Sequence, residues 1–325
     1  MTPVKKETAI RQVEAKGTKI RLNQRLVSLF LTPNSSGAKI TVYVDRHEIP
    51  VTNRREARAR MNVIVCLKQV IDPEAPLASF KIDTDTNKAA LQGVPPVIDP
   101  YGEYAVEAAL QIKDAKGGKV TAISLGDNLL REVVRKPLKM GADELILLED
   151  TAFADGDSWS TAYALAMTIK KIGEYDLILC GREASDTNAG QVGSGIAEIL
   201  GLPSVTLAKK IEILDGKARV ERVTMDGFEA IEVPLPTVIT VSNEVGEPRY
   251  PTIKGIITAK KKEPIVWKPV DIGVEPSQSG AAGQRAEMLK LFQPVHEDKC
   301  DILEADTPEE AAVKLALKLR EAKIL

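Results

Sequence analysis

The chain has 325 residues, 44% of them hydrophobic and 28% charged, with a formal net charge of −2. That balance suits a globular protein of one large α/β domain plus additions, or of two domains, and excludes a disordered or fibrous chain. No apolar run approaches the ~18 residues of a membrane-spanning helix, and the three cysteines, Cys66, Cys180 and Cys300, form no C-x-x-C pair.

The charge is unevenly spread. Residues 1–60 carry a net +8 and the remainder −10. Within the basic head, Lys19–Leu31 and Lys39–Val44 have strand character around a Pro33–Gly37 turn. The apolar content there is too thin for an independent core. Scattered acidic residues (Glu7, Glu14, Asp45, Glu48, Glu56) argue against a transit peptide, and basic residues without aromatic partners argue against a nucleic-acid arm. At Met61 the chain changes abruptly to MNVIVCLKQVIDP. The expectation is that 1–60 is an atypical extension arising from the choice of start site.

From Met61 the pattern alternates. A strand at Asn62–Lys68 precedes a small hairpin over Lys81–Leu91. Asp99-Pro100 opens a helix, Tyr101–Ala115, with an Asp cap and Pro in the first turn. Then follow a strand at Lys119–Leu125, a helix over Asn128–Met140, a strand at Glu144–Leu148, and a helix, Ser158–Ile172, capped near Asp157. Next comes a short buried strand, Asp176–Cys180, a polar loop, and a helix ending at Gly201 and Pro203. Short β pieces follow at Ser204–Leu207, Ile211–Leu214, Lys217–Val223, Phe228–Pro234 and Thr237–Val241, with Asp215-Gly216 and Asp226-Gly227 as turns. Unbroken strand–helix alternation predicts a doubly wound, mainly parallel α/β sheet, Rossmann-like and of the adenine-nucleotide-binding type. A small antiparallel addition follows it. After Asn243 regularity fades into a Pro- and Gly-rich arm, with a final helix from Thr307 to Lys323. The expected organisation is 1–60 extension, 61–255 nucleotide-binding domain, and 256–325 C-terminal arm and helix.

The stretch that concentrates chemistry is Gly181–Gly195: strand end, Gly-rich loop, helix start. Unpaired N–H groups at a helix N-terminus attract anions, and glycines allow close backbone approach. It is not G-x-G-x-x-G, because Glu198 stands at the third glycine's place, and no G-K-[ST] follows. On spacing alone it reads equally as a nucleotide loop or as an ordinary βα turn. Only His47 and His296 occur, so no catalytic triad assembles in the α/β body. No metal-ligand spacing is present. Asp83/Asp85 and Asp155/Asp157 read as turn and cap residues rather than acid/base pairs. The body looks like a nucleotide binder in which a cofactor must carry any redox chemistry.

From Met61 onward the chain resembles the β subunit of electron-transfer flavoproteins. The resemblance rests on Val63–Asp72 (VIVCLKQVID), Met140-Gly-Ala-Asp143, Gly181–Gly193, and the long stretch from Val220-Glu-Arg222 through Asp226-Gly227, Glu229 and Pro236–Thr240 to Glu247-Pro-Arg-Tyr250. Met225 departs from it, an acidic residue being usual there. The resemblance implies a heterodimer whose α subunit holds most of the working FAD, and in many members an AMP buried in β. The contacts it implies are Cys66; Asp99, Pro100, Tyr101 and Gly102; Leu125; and Gly181, Arg182, Glu183, Ala184, Ser185, Asp186, Thr187, Asn188, Ala189, Gly190, Gln191 and Val192. Tyr101 falls beside the flavin ring. Asp99 replaces a usual Asn and is expected to repel phosphate. Tyr250 and Ile253 resemble the family's contact with its dehydrogenase. The arm, with Leu289, Leu291 and Phe292, is expected to wrap the α subunit.

The function implied is an electron carrier from flavin dehydrogenases of the acyl-CoA dehydrogenase type to a quinone-linked oxidoreductase, with no nucleic-acid partner and no membrane insertion. The cytoplasm is the expected compartment, or the mitochondrial matrix in a eukaryote. Two family branches differ in the second nucleotide. One keeps AMP and usually reads Q-T-G-Q; the other carries a second FAD reduced by NADH and usually reads Q-V-G-P. Here the residues are Gln191-Val-Gly-Ser194. The expectation is AMP, with the second FAD as the alternative. A stress-type ATP- or AMP-binding protein without a redox role is the rival from another class, and an adenylating ligase a weaker one.

Overall fold

The computed structural model describes residues 27–34, 37–44, 60–83, 85, 88–91, 93–293 and 302–324. Most of the 1–60 extension, His47, His296 and Cys300 lie outside them. Within the extension, β1 (Val27–Asn34) and β2 (Gly37–Val44) form an antiparallel hairpin.

From residue 61 the chain runs through β3 (Met61–Leu67), β4 (Gln69–Val70), β5 (Phe80–Asp83), β6 (Lys88–Leu91), β7 (Val97–Ile98), α1 (Pro100–Lys116) and β8 (Gly118–Gly126). It continues through α2 (Arg131–Val134), α3 (Lys136–Met140), β9 (Glu144–Glu149), α4 (Ser158–Ile172), β10 (Leu177–Gly181) and α5 (Val192–Leu200). The antiparallel addition is β11 (Ser204–Ile213), β12 (Lys217–Thr224) and β13 (Gly227–Pro234), followed by β14 (Thr237–Val241), α6 (Ile253–Lys261), β15 (Ile265–Trp267) and α7 (Pro308–Glu321).

Nine strands make one sheet in the order β13-β12-β11-β14-β10-β3-β8-β9-β15. It is parallel from β11 to β15, while β12 and β13 are antiparallel additions at one edge. The doubly wound, mainly parallel α/β fold expected from the sequence is therefore the one observed. Alternate residues of a strand face opposite sides. Val63, Val65 and Leu67 of β3 join α1's Ala105, Ala108, Ala109 and Ile112 on one face. Ile64 and Cys66 join Ala162, Leu165 and Ile169 of α4 and Ile196 and Ala197 of α5 on the other. Burial on both faces explains why the strand reads as a continuous apolar run. Each fully buried aliphatic side chain contributes about 1.5–3 kcal/mol.

Caps are where the sequence placed them. Asp99 accepts from Tyr101 and Gly102 N–H, Asp157 from Ser160 N–H, and Thr307 from Glu310 N–H. Asp85 N–H donates to the Asp83 carboxylate in a turn. The expected helix over 128–140 is instead two short ones, α2 and α3. Pro137 lies in the first turn of α3 and has no N–H for the preceding helix to continue through. The two β pieces expected over 204–214 are one strand, β11, with a bulge between Ala208 and Lys210 and Leu207 at φ +59°.

The chain forms two compact units: Met1–Phe80 with Leu91–Glu287, and Lys81–Ala90 with Met288–Leu325. The first thus continues past residue 255. There α6 lies on α3, and β15 extends the sheet beside β9. In the second, α7 buries no residue, and Val313, Leu315 and Leu317 are exposed.

Candidate nucleotide site and docking face

The strand order creates a switch point. From β3 the chain moves outward to β8 and β9, then returns to β10 on the other side of β3. Ligands of open α/β sheets bind at such a junction, beyond the carboxyl ends of the strands. Cys66 of β3 and Cys180 of β10 are register partners there, both buried. Hydrogen bonding to Cys180, then burial, pushes the Cys66 thiol well above its ordinary value. The Cys66 thiol is therefore a packing group, not a nucleophile.

A two-stranded antiparallel sheet of β4 and β7 folds the long connection after β3 back on itself. Asp99 N–H donates to Lys68 O at 2.9 Å. This sets the first turn of α1 (Pro100, Tyr101, Gly102) over the end of β3, where a Cβ on Gly102 would lie 3.2 Å from Leu67 Cβ. Leu125 sits at the end of neighbouring β8, half-buried. Beside it Ser124 Oγ is fully buried with no hydrogen-bond partner among the described residues.

The loop after β10 is tied to the rest of the fold at three residues, Arg182, Ser185 and Asp186. Arg182 N–H donates to Val241 O at 2.9 Å, and Thr187 and Asn188 N–H both donate to Ala184 O. Ser185 donates twice to Asp99 Oδ2, from its backbone N–H (2.6 Å) and its hydroxyl (2.8 Å). Asp186 pairs with Lys68 at 2.6 Å, and Glu183 with Arg182. The Arg182 guanidinium lies 5.3 Å from the centre of the Tyr101 ring. Asp186, Thr187, Asn188, Ala189, Gly190 and Gln191 are exposed, and the half-buried Val192 begins α5.

The structure thus brings Cys66, Asp99–Gly102, Leu125 and 181–192 to one end of adjacent strands. Two of the features expected to serve a ligand also hold the fold together. A Cβ on Gly181 would come within 2.7 Å of Tyr101 Cβ, and one on Gly193 within 2.5 Å of Thr240 Cγ2. These glycines allow α1 and α5 to lie close to the sheet. Gly190, at φ +62°, serves the turn itself. Asp99 is the second feature: it is 2% exposed, and its carboxylate oxygens accept from Tyr101, Gly102 and Ser185. The carboxylate is a structural tie inside the fold rather than a charge presented to a phosphate.

The remaining features fit an adenosine phosphate. The N-cap of α5, Gln191, makes no side-chain hydrogen bond, and the first turn holds no acidic residue. Its free N–H groups, beside Thr187, Asn188 and Ser194, form an anion-attracting end. Sequence reasoning missed Lys68, whose only signal is its place directly after the first strand. It also missed Ser124 and the Ser185–Asp99 tie. Among the described residues no carboxylate, histidine or cysteine cluster is suited to a metal, and no helix is long and apolar enough to cross a membrane.

Tyr250 and Ile253 lie elsewhere, before and at the start of α6. They are 93% and 80% exposed. The helix turns its small residues inward: Ala259 is buried, and a Cβ on Gly255 would lie 2.3 Å from Lys139 O. Ile253, Ile256 and Ile257, at i, i+3 and i+4, face solvent among Lys254, Lys260 and Lys261. This outward apolar stripe is the reverse of the inward one a packed surface helix shows.

Comparison with known proteins bears on both regions. The family model described as the electron transfer flavoprotein domain matches residues 86–272. The chain is similar to the caffeyl-CoA reductase-Etf complex subunit CarD of Acetobacterium woodii, 39% identical over 266 residues covering 82% of this chain and 100% of that relative. It is 40% identical to an electron transfer flavoprotein subunit beta of Thermoanaerobacterium thermosaccharolyticum over 250 residues, 77% of this chain and 94% of the relative. It is 36% identical to Protein FixA of Azorhizobium caulinodans over 242 residues, 72% and 85% respectively.

Proposed function

The chain belongs to the electron transfer flavoprotein family as a β subunit, and from that premise we propose that it binds a second FAD at the switch point between β3 and β10. Subunits of this family are electron carriers that pair with an α subunit. Here the β chain lends Tyr101 and Arg182 to the α-subunit flavin and holds the adenosine-phosphate half of its own nucleotide with residues 182–192 and the start of α5. When bound, FAD supplies the redox chemistry. The chain's own residues bind, orient and shield it.

The observation that carries the choice of FAD over AMP is the Asp99–Ser185 tie. The sequence reading leans to AMP, and Asp99 counts mildly there against a larger polyanion. With that carboxylate buried and engaged by donors, the objection lapses. Of the two branch-specific residues, Val192 matches the two-flavin pattern and Ser194 matches neither. A stand-alone stress-type nucleotide binder has no use for the exposed apolar faces of α6 and α7, which support a subunit that docks. We assign α7 and the arm to the α subunit. We assign Tyr250 and Ile253 to a flavin dehydrogenase with an acidic rim to its pocket, matching the lysines around α6. The relative named for a caffeyl-CoA reductase complex favours an enzyme that handles CoA thioesters as that partner. A quinone-linked oxidoreductase is the acceptor class.

The test is the nucleotide content of the purified heterodimer after denaturing release. Two FAD and no AMP, with bleaching by NADH, is the expected result. One FAD with one AMP returns the reading to simple carriage.

A further inference from the structure

Apart from Asp99, Glu107 is the only charged side chain buried among the described residues. It stands in the middle of α1, where a lone carboxylate is costly unless it is paired. The group that pairs it is 142 positions later. Arg249 donates to Glu107 from its backbone N–H (3.0 Å), from Nε (2.8 Å) and from Nη2 (3.0 Å). Its Nη1 meets Asp114 at 2.9 Å, while Gln111 donates to Glu107 Oε1 at 3.2 Å. Glu107, Gln111 and Asp114 follow one another at i, i+4 and i+7, so one stripe of α1 holds the arginine through Glu107 and Asp114, with Gln111 bracing Glu107. A bidentate fork that also takes the backbone N–H fixes the main chain at residue 249 as well as the side chain.

The next residue is the exposed Tyr250, and Ile253 begins α6 three positions further on. The far end of α6 is fixed as well. Lys262 Nζ donates to Ala142 O at 3.0 Å, and Arg135 pairs with Glu263 at 2.9 Å. Thr252 caps the helix start. The helix itself buries only Ala259. A segment with so little apolar burial is held in place chiefly by these ties. An apolar knob already held in its docking geometry avoids the ordering cost of binding.

We propose that Glu107 and Arg249 are positioning residues for partner docking: the buried pair, extended by Asp114, presents Tyr250, Ile253 and Ile257 to the dehydrogenase. This rests on the assignment of that face as the docking surface. The clamp runs through α1, whose first turn carries Tyr101. One helix therefore sets both the docking knob and the flavin-side aromatic in a common frame.

The test uses the full heterodimer as electron acceptor for an acyl-CoA dehydrogenase reduced by its own thioester. Glu107→Gln should raise the KM for the heterodimer by about tenfold, with kcat within about twofold and flavin content unchanged. Arg249→Lys, which keeps the charge but loses the fork, should fall between. The double variant Glu107→Gln/Ile253→Ala should be no worse than Ile253→Ala alone, because residues acting through one element are not additive. Amide exchange should speed up over 250–258 and not over 182–192. If Glu107→Gln does not assemble, Asp114→Asn, which loosens only the exposed arm of the clamp, is expected to show the same KM effect in smaller measure. Effects that multiply, a loss in kcat with KM unchanged, or loss of flavin would overturn the proposal. An unchanged KM for Ile253→Ala would overturn the docking assignment together with it. A raised KM for Ile253→Ala beside an unaffected Glu107→Gln would overturn the clamp alone.

Discussion

Asp99 offers the sharpest perturbation, because the two readings of it predict opposite signs. If the carboxylate faced a phosphate, Asp99→Asn would remove a repulsion and tighten nucleotide binding. In the structure its Oδ2 accepts from Ser185 N–H at 2.6 Å and from the Ser185 hydroxyl at 2.8 Å, while Oδ1 caps α1. An asparagine can still cap the helix through its oxygen. Its amide NH2 then faces the Ser185 N–H, a donor against a donor. An unsatisfied, half-buried N–H costs about 1–3 kcal/mol. Asp99→Ala also loses the cap, worth about 1 kcal/mol more. At this size each kcal/mol lowers Tm by roughly 2–4 °C. Thermal unfolding of the heterodimer at fixed concentration should therefore rank wild type above Asp99→Asn above Asp99→Ala. Nucleotide retention on dialysis should fall in the same order, because Ser185 no longer holds the loop. An Asp99→Asn protein that is as stable as wild type and binds nucleotide more tightly would refute this account.

Three further outcomes follow from the same geometry. Gly193→Ala places a Cβ 2.5 Å from Thr240 Cγ2 and should cost about 1–3 kcal/mol with loss of nucleotide. Adding Thr240→Ser, which removes that methyl but keeps the hydroxyl that accepts from Leu207 N–H, should restore both. Burial alone would raise the Glu107 carboxyl, but the Arg249 hydrogen bonds and charge outweigh it and hold it below the ordinary glutamate value. Its contribution is thus present above the unfolded pKa of about 4.3 and lost as pH falls through the depressed folded value. Glu107→Gln should flatten the acid limb of the stability–pH curve measured by denaturant titration. Truncation after Glu287 removes α7 while keeping β15 in the sheet. It should leave a folded β chain that no longer co-purifies with the α subunit, and undiminished co-purification would assign the subunit contact elsewhere.

Three elements were missed or misread after Gly201: the continuous β11, the helix α6 and the edge strand β15. In α6 the usual rule is reversed, with Gly255 and Ala259 inward and isoleucines outward. Its periodicity therefore does not announce a packed helix. β15 is three residues long and exists only because β9 offers it a free edge.

What the sequence determined by itself is local and periodic. The apolar runs of 62–68, 119–125, 144–148 and 176–180 read as strands buried on both faces, and Asp99-Pro100, Asp157 and Thr307 as helix starts. Those patterns, with the Asp-Gly turns, are enough for a doubly wound sheet with an antiparallel addition. The tertiary structure alone decided which strands are neighbours, and hence that the switch point falls between β3 and β10. It alone decided that Gly181 and Gly193 let α1 and α5 lie close to the sheet, that Asp99 faces Ser185, and that Glu107 holds Arg249. Each of these is a contact between residues far apart in the chain, 86 positions for Asp99 and Ser185 and 142 for Glu107 and Arg249. The partner of a buried charge, or the neighbour of a missing Cβ, is set by how the layers stack. Hydrophobic periodicity reports which way a residue faces, but not what it meets there.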